Sequence, residues 1–157
     1  MKASYFHTIT LVGKILEKSN IPYQYTGQSA LFVQGVEVDE YKNITIDVQW
    51  DVFNEVFELL TEFAPTQPEK NPESSSFLLE IDGITVTVRC LFNMTIKTDP
   101  YRLSIKIGEM EIWCRSLYSY LYDEEMKKYG AEIHAYLSAE QQGFTAENEQ
   151  AWNQNNY

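Results

Sequence analysis

From Asn43 to Trp50 the chain alternates apolar and polar residues without a break. In an extended strand, successive side chains point to opposite faces. Ile44, Ile46, Val48 and Trp50 therefore share one face, and Asn43, Thr45, Asp47 and Gln49 share the other. A strand of this kind cannot stand alone. Its apolar face must be covered by helices or a second sheet, and its polar face can stay open or line a site.

The flanking sequence supplies the cover. Phe6, Ile9, Val12 and Leu16 recur at helical spacing, with Leu11 and Ile15 widening the stripe, and predict a helix over Ser4–Ser19. Asn20 and Pro22 end it. Tyr23–Thr26 reads as a short strand, Ser29–Gly35 as a short helix and Glu37–Lys42 as a loop. After the alternating strand, Asp51 is placed to cap a helix from Val52 to Phe63, which Pro65 terminates. Thr66–Ser76 is rich in Pro, Ser and charge and reads as a loop. Phe77–Ile81 and Ile84–Cys90 flank Asp82-Gly83, a strong hairpin signal. A second hairpin, Tyr101–Ile107 and Met110–Trp113, follows the turn at Thr98-Asp99-Pro100. Helical segments are expected from Ser116 and over Asp123–Gln142, with Ile133, Tyr136 and Leu137 facing inward. The order predicts an α+β fold, a mixed sheet with helices on one side and further helices at the C-terminus, in one domain over 1–144. The polar residues 145–157 are expected to form a flexible tail.

Charge narrows the function classes. The net charge is −11, from 12 Lys and Arg against 23 Asp and Glu. Long nucleic acids are held by basic stripes that release counterions, so neither long DNA nor long RNA is an expected partner. A small molecule, a nucleotide included, needs only a few local donors. No apolar run is long enough to cross a bilayer and the N-terminus lacks a signal-peptide core, so a cytoplasmic location is expected and no membrane partner. Cys90 and Cys114 lie in apolar segments and are expected to be buried free thiols.

The stretch Thr26-Gly27-Gln28-Ser29-Ala30-Leu31, followed by Ile44-Thr45-Ile46-Asp47-Val48, resembles the nucleotidyltransferase superfamily of DNA-polymerase-beta-like fold. It looks closest to small bacterial members, and more distantly similar to the aminoglycoside-type branch. The resemblance is best over Pro22–Trp50 and implies a Gly-Gly or Gly-Ser turn opening a helix. It also implies a strand with two carboxylates at alternate positions and a third carboxylate on a later strand. The chemistry explains the pattern. A glycine turn lets backbone N–H groups approach phosphate, and carboxylates at i and i+2 can hold magnesium ions that bridge attacking and leaving oxygens.

This chain departs from that pattern at the motif itself. Gln28 follows Gly27 where Gly or Ser is implied, and the carboxylate positions fall on Asn43 and Thr45. A shifted register pairs Thr45 with Asp47 and recovers one acid. On the later strand the outward set is Thr85, Thr87 and Arg89, and Asp47 beside Arg89 favours an ion pair over a metal site. Three readings stay open. In the first, the fold is catalytically degenerate and serves as a small-ligand-binding or regulatory module, with Gly27, Gln28, Ser29, Asn43, Thr45, Gln49, Thr87 and Arg89 as candidate ligand contacts. In the second, magnesium-dependent transfer to a small hydroxylated acceptor survives, with Asp47 as metal ligand and catalytic group. In the third, the C-terminal helices are an interaction module, which a homodimer through their tyrosines would fit.

Other signals point to structure. His7 and His134 lack metal-ligand spacing. Glu80 and Asp82 alternate but precede a tight turn, and Cys114 beside Arg115 has the sequence context of a lowered thiol pKa.

Overall fold

A computed structural model describes residues 2–138, which divide into two compact units at Ser116. The first is built on a mixed seven-stranded sheet. Its strands are β1 (Tyr23–Thr26), β2 (Asn43–Val48), β3 (Glu69–Lys70), β4 (Ser74–Ile81), β5 (Ile84–Leu91), β6 (Arg102–Ile107) and β7 (Met110–Arg115). They lie in the order β3-β4-β5-β2-β1-β7-β6. β2 is antiparallel to β1 and parallel to β5, while β1 is parallel to β7. Three helices, α1 (Lys2–Lys18), α2 (Gly27–Val33) and α3 (Phe53–Leu59), cover one face.

The covered face is the apolar side of the strand periodicity. Tyr23, Tyr25, Ile44, Ile46, Val86, Val88, Ile112 and Cys114 are buried there. Tyr25 donates its hydroxyl to the Ile9 carbonyl of α1 at 2.6 Å, and the Phe53 and Phe57 rings of α3 lie 5.4 and 5.2 Å from Phe77. Cys90 and Cys114 are buried free thiols, as expected. Among the described residues no helix is long and apolar enough to cross a membrane.

Several local expectations are corrected. On α1, Tyr5 rather than Phe6 is buried, because its hydroxyl finds the Asn43 carbonyl at 2.7 Å; Phe6 is exposed. Trp50 leaves the apolar face. The strand ends at Val48, and Trp50–Val52 coil into a 3₁₀ turn. Asp51 sits inside that turn, without the extended backbone of a cap, so α3 starts at Phe53 with no side-chain cap. The expected loop over Thr66–Ser76 contains β3 and the start of β4. Asn71 Oδ1 accepts from the Glu73 and Ser74 N–H groups and turns the chain between them. Glu69 and Lys70 are exposed and carry no periodic signal, yet they place charge on the sheet edge.

The Asp82-Gly83 turn has both residues at positive φ, 51° and 80°, the geometry of the commonest two-residue hairpin. A Cβ on Gly83 would touch nothing within 4 Å, so only backbone strain opposes one. Gly83→Ala is expected to lower stability by about 1–2 kcal/mol, read as a shifted urea midpoint at unchanged slope.

In the second unit, Leu117–Tyr120 and Lys127–Tyr129 form 3₁₀ turns, and a helix runs over 130–138. The expected helix start at Asp123 is replaced by a turn in which Asp123 Oδ1 accepts the Glu125 N–H. Ile133 and Leu137 are buried, whereas Tyr136 is 38% exposed and lies off the inner face. The rest of the expected helix and the tail lie outside the described residues.

Candidate functional site

The face opposite the helices carries the polar set of the strands. Cross-strand partners point to the same side, and the register therefore places Arg89, Asp47 and Gln24 in one row across β5, β2 and β1. Thr87, Thr45 and Thr26 form the next row toward Gly27, with Asn43 and Thr85 adjacent beyond it.

Asp47 is the centre of this face and is 2% exposed. Arg89 Nε donates to its Oδ1 at 2.9 Å and Nη2 to its Oδ2 at 3.1 Å. This planar fork engages both carboxylate oxygens. Burial pushes the Asp47 carboxyl above its ordinary value, and the Arg89 hydrogen bonds and charge offset part of that rise.

The remaining candidates have defined places. Gly27 opens α2 at φ 61°, a left-handed conformation that disfavours side chains whatever its role toward a ligand. Gln28 is the next residue of α2, half-buried. Ser29 is buried and ties α2 to two strands. Its hydroxyl donates to the Thr26 carbonyl at 2.7 Å, lies 3.0 Å from the Thr45 carbonyl, and accepts the Thr45 N–H at 3.3 Å. Gln49 lies just past β2, where its Oε1 accepts the Ile96 N–H at 3.0 Å. Glu80 stands opposite Thr85, four residues along the sheet from the Asp47 row, which is about 13 Å. Glu37 lies 3.9 Å from Lys2 Nζ.

Residues that the sequence did not single out complete the face. The crossover between β5 and β6 packs against β1, burying Ile96 and bringing Asp99 to Gln24. Gln24 Nε2 donates to Asp99 Oδ2 at 2.9 Å, and Arg115 Nε lies 3.9 Å from the same oxygen. Arg102 donates to the Tyr23 carbonyl and stacks 3.8 Å over the Trp113 ring. The alternation of Gln24 against Tyr23 and Tyr25 was a usable signal once β1 and β2 pair antiparallel. Asp99 carried none, because a non-local fold places it. Cys114 points to the core, away from Arg115, and burial pushes its thiol up to about 12 rather than down.

The magnesium that the family resemblance implies does not fit these residues. Both Asp47 oxygens face Arg89, Asn43 and Thr45 offer only neutral oxygens, and no group of three His, Cys, Asp or Glu converges among the described residues.

The fold has solved counterparts. The lincosamide antibiotic adenylyltransferase LnuA with lincomycin bound matches with a TM-score of 0.58 at 13% identity, covering 88% of this chain and 96% of that one. ANT(2'')-Ia in complex with adenylyl-2''-tobramycin matches with a TM-score of 0.52 at 16% identity, over 88% of this chain and 99% of that one. The chain has the nucleotidyltransferase fold. A solution structure of the antibiotic-resistance factor ANT(2'')-Ia matches at 0.51 and 13% identity, over 94% and 98% of the two chains. No family model matches the sequence, and no curated protein matches it significantly. The nucleotidyltransferase fold thus accounts for the mixed sheet and its covering helices.

Proposed function

We propose that this chain is a catalytically degenerate nucleotidyltransferase-fold protein that binds a small ligand on its polar sheet face without magnesium-dependent transfer. The bidentate Asp47–Arg89 pair carries this reading. A metal would have to displace a guanidinium from the one acid among Asn43, Thr45 and Asp47, and the neutral neighbours would supply little charge to hold it. The Thr26, Thr45 and Thr87 row beside Gly27 retains polar groups suited to a neutral or anionic ligand.

Calorimetric titration with magnesium and each nucleoside triphosphate tests the reading. The expected result is no metal-dependent triphosphate binding in either the natural chain or Asp47→Asn. Metal-dependent binding that disappears in Asp47→Asn would restore the enzyme reading, with transfer to a small hydroxylated acceptor.

A further inference from the structure

The chain has three arginines, Arg89, Arg102 and Arg115, and all three lie on the face of the sheet opposite the helices. In a chain of net charge −11 this is a local reversal of sign. Arg89 is matched by Asp47. Arg102 and Arg115 are not matched in the same way, although they are direct cross-strand partners on β6 and β7. Like charges at opposed positions are destabilising, because their Cβ atoms sit only about 5 Å apart.

Among the described residues, the one carboxylate within ion-pair distance of either arginine is Asp99. It lies 3.9 Å from Arg115 Nε and already accepts hydrogen bonds from Gln24 and the Tyr101 N–H. Arg115 Nε is buried and has no hydrogen-bond partner. Arg102 makes no ion pair among the described residues; it donates to one backbone carbonyl and rests on Trp113. Gln24, fully buried in the same cluster, has an Oε1 with no donor. Arg102, Arg115 and Gln24 therefore share one side of β6, β7 and β1, where Arg115 Nε and Gln24 Oε1 hold unused hydrogen-bonding capacity.

We propose that Arg102 and Arg115 form an oxyanion site for the phosphate group of a small ligand. A tetrahedral phosphate can bridge two guanidinium groups through separate oxygens, a geometry that arginine matches well. The Tyr101 ring, 43% exposed and 5.5 Å from the Arg115 guanidinium, gives a base attached to that phosphate a stacking surface. The site deepens the binding reading above and does not involve Asp47 or a metal.

The test is calorimetric titration of the full chain with inorganic phosphate and with adenosine monophosphate, in chelator at low salt. Phosphate is expected to bind, and Arg115→Gln and Arg102→Gln are each expected to weaken it by about tenfold or more. Tighter binding of the monophosphate identifies a nucleotide as the source of the phosphate; equal binding identifies the free anion. A proton–nitrogen spectrum of the natural chain, which depends on no variant folding, is expected to shift at the Arg102 and Arg115 side chains and the Trp113 indole as phosphate is added. No saturable metal-free binding, shifts confined to other residues, or unchanged affinity in both folded variants overturns the site. Those results leave the magnesium test of Asp47 untouched, so the two readings fail separately.

Discussion

Replacing Arg89 with leucine is expected to destabilise the fold by about 3 kcal/mol at neutral pH, the lower end of the cost of breaking a buried pair. The lower end applies because the Arg89 side chain is 38% exposed and partly screened, while its partner Asp47 is 2% exposed. The cost arises on the acid. Without Arg89 the Asp47 carboxylate stays buried with its charge uncompensated, and burial already raises its pKa with the arginine present. The folded variant then binds a proton at pH values where the unfolded chain has released it. Its stability falls as pH rises through the folded pKa and is fully recovered only below the ordinary value of 3.8. The gap between variant and natural chain should therefore narrow in urea melts as pH falls from neutral toward 3.8. Adding Asp47→Asn to Arg89→Leu removes the orphaned charge and should restore part of the loss, a coupling that a double-mutant cycle measures. A gap independent of pH, or a variant as stable as the natural chain at neutral pH, contradicts this account.

Tyr25→Ala should remove about 3–5 kcal/mol, the range for deleting a large buried ring. Tyr25 is fully buried in β1, which pairs with both β2 and β7. Its ring packs edge-on to Tyr23 at 5.8 Å, and its hydroxyl donates to the Ile9 carbonyl at 2.6 Å. The residue thus joins the covering helix α1 to the strand that places Gln24 on the opposite face of the sheet. Tyr25→Phe keeps the ring and loses only the hydrogen bond, about 1 kcal/mol. Chemical denaturation of the two variants separates packing from hydrogen bonding. Equal losses in both would mean that the hydroxyl, not the ring, holds the layers together.

The fold was largely legible because its signals are local. Alternation in Asn43–Val48, helical spacing from Ile9 to Leu16 and the Asp82-Gly83 turn each depend on side chains within a few residues, and each appears in the structure. Failures cluster where tertiary context overrode local preference. Asp51 is a good cap residue held inside a 3₁₀ turn, and Glu69-Lys70 becomes a strand only because Ser75 and Ser76 are there to pair with it.

The candidate site divides along the same line. Strand periodicity alone puts Asn43, Thr45 and Asp47 on one face and Thr85, Thr87 and Arg89 on another, since residues i and i+2 share a side whatever the fold. The sequence also determines that most of those positions lack an acid. Only the tertiary structure decided that β2 and β5 are neighbours in a register that sets Asp47 against Arg89, and that β6 and β7 bring Arg102 and Arg115 together. It also decided that a crossover delivers Asp99 to Gln24 across a separation of 75 residues. Such pairings depend on strand order and register, which are set by the packing of the whole sheet and leave no mark in any single segment.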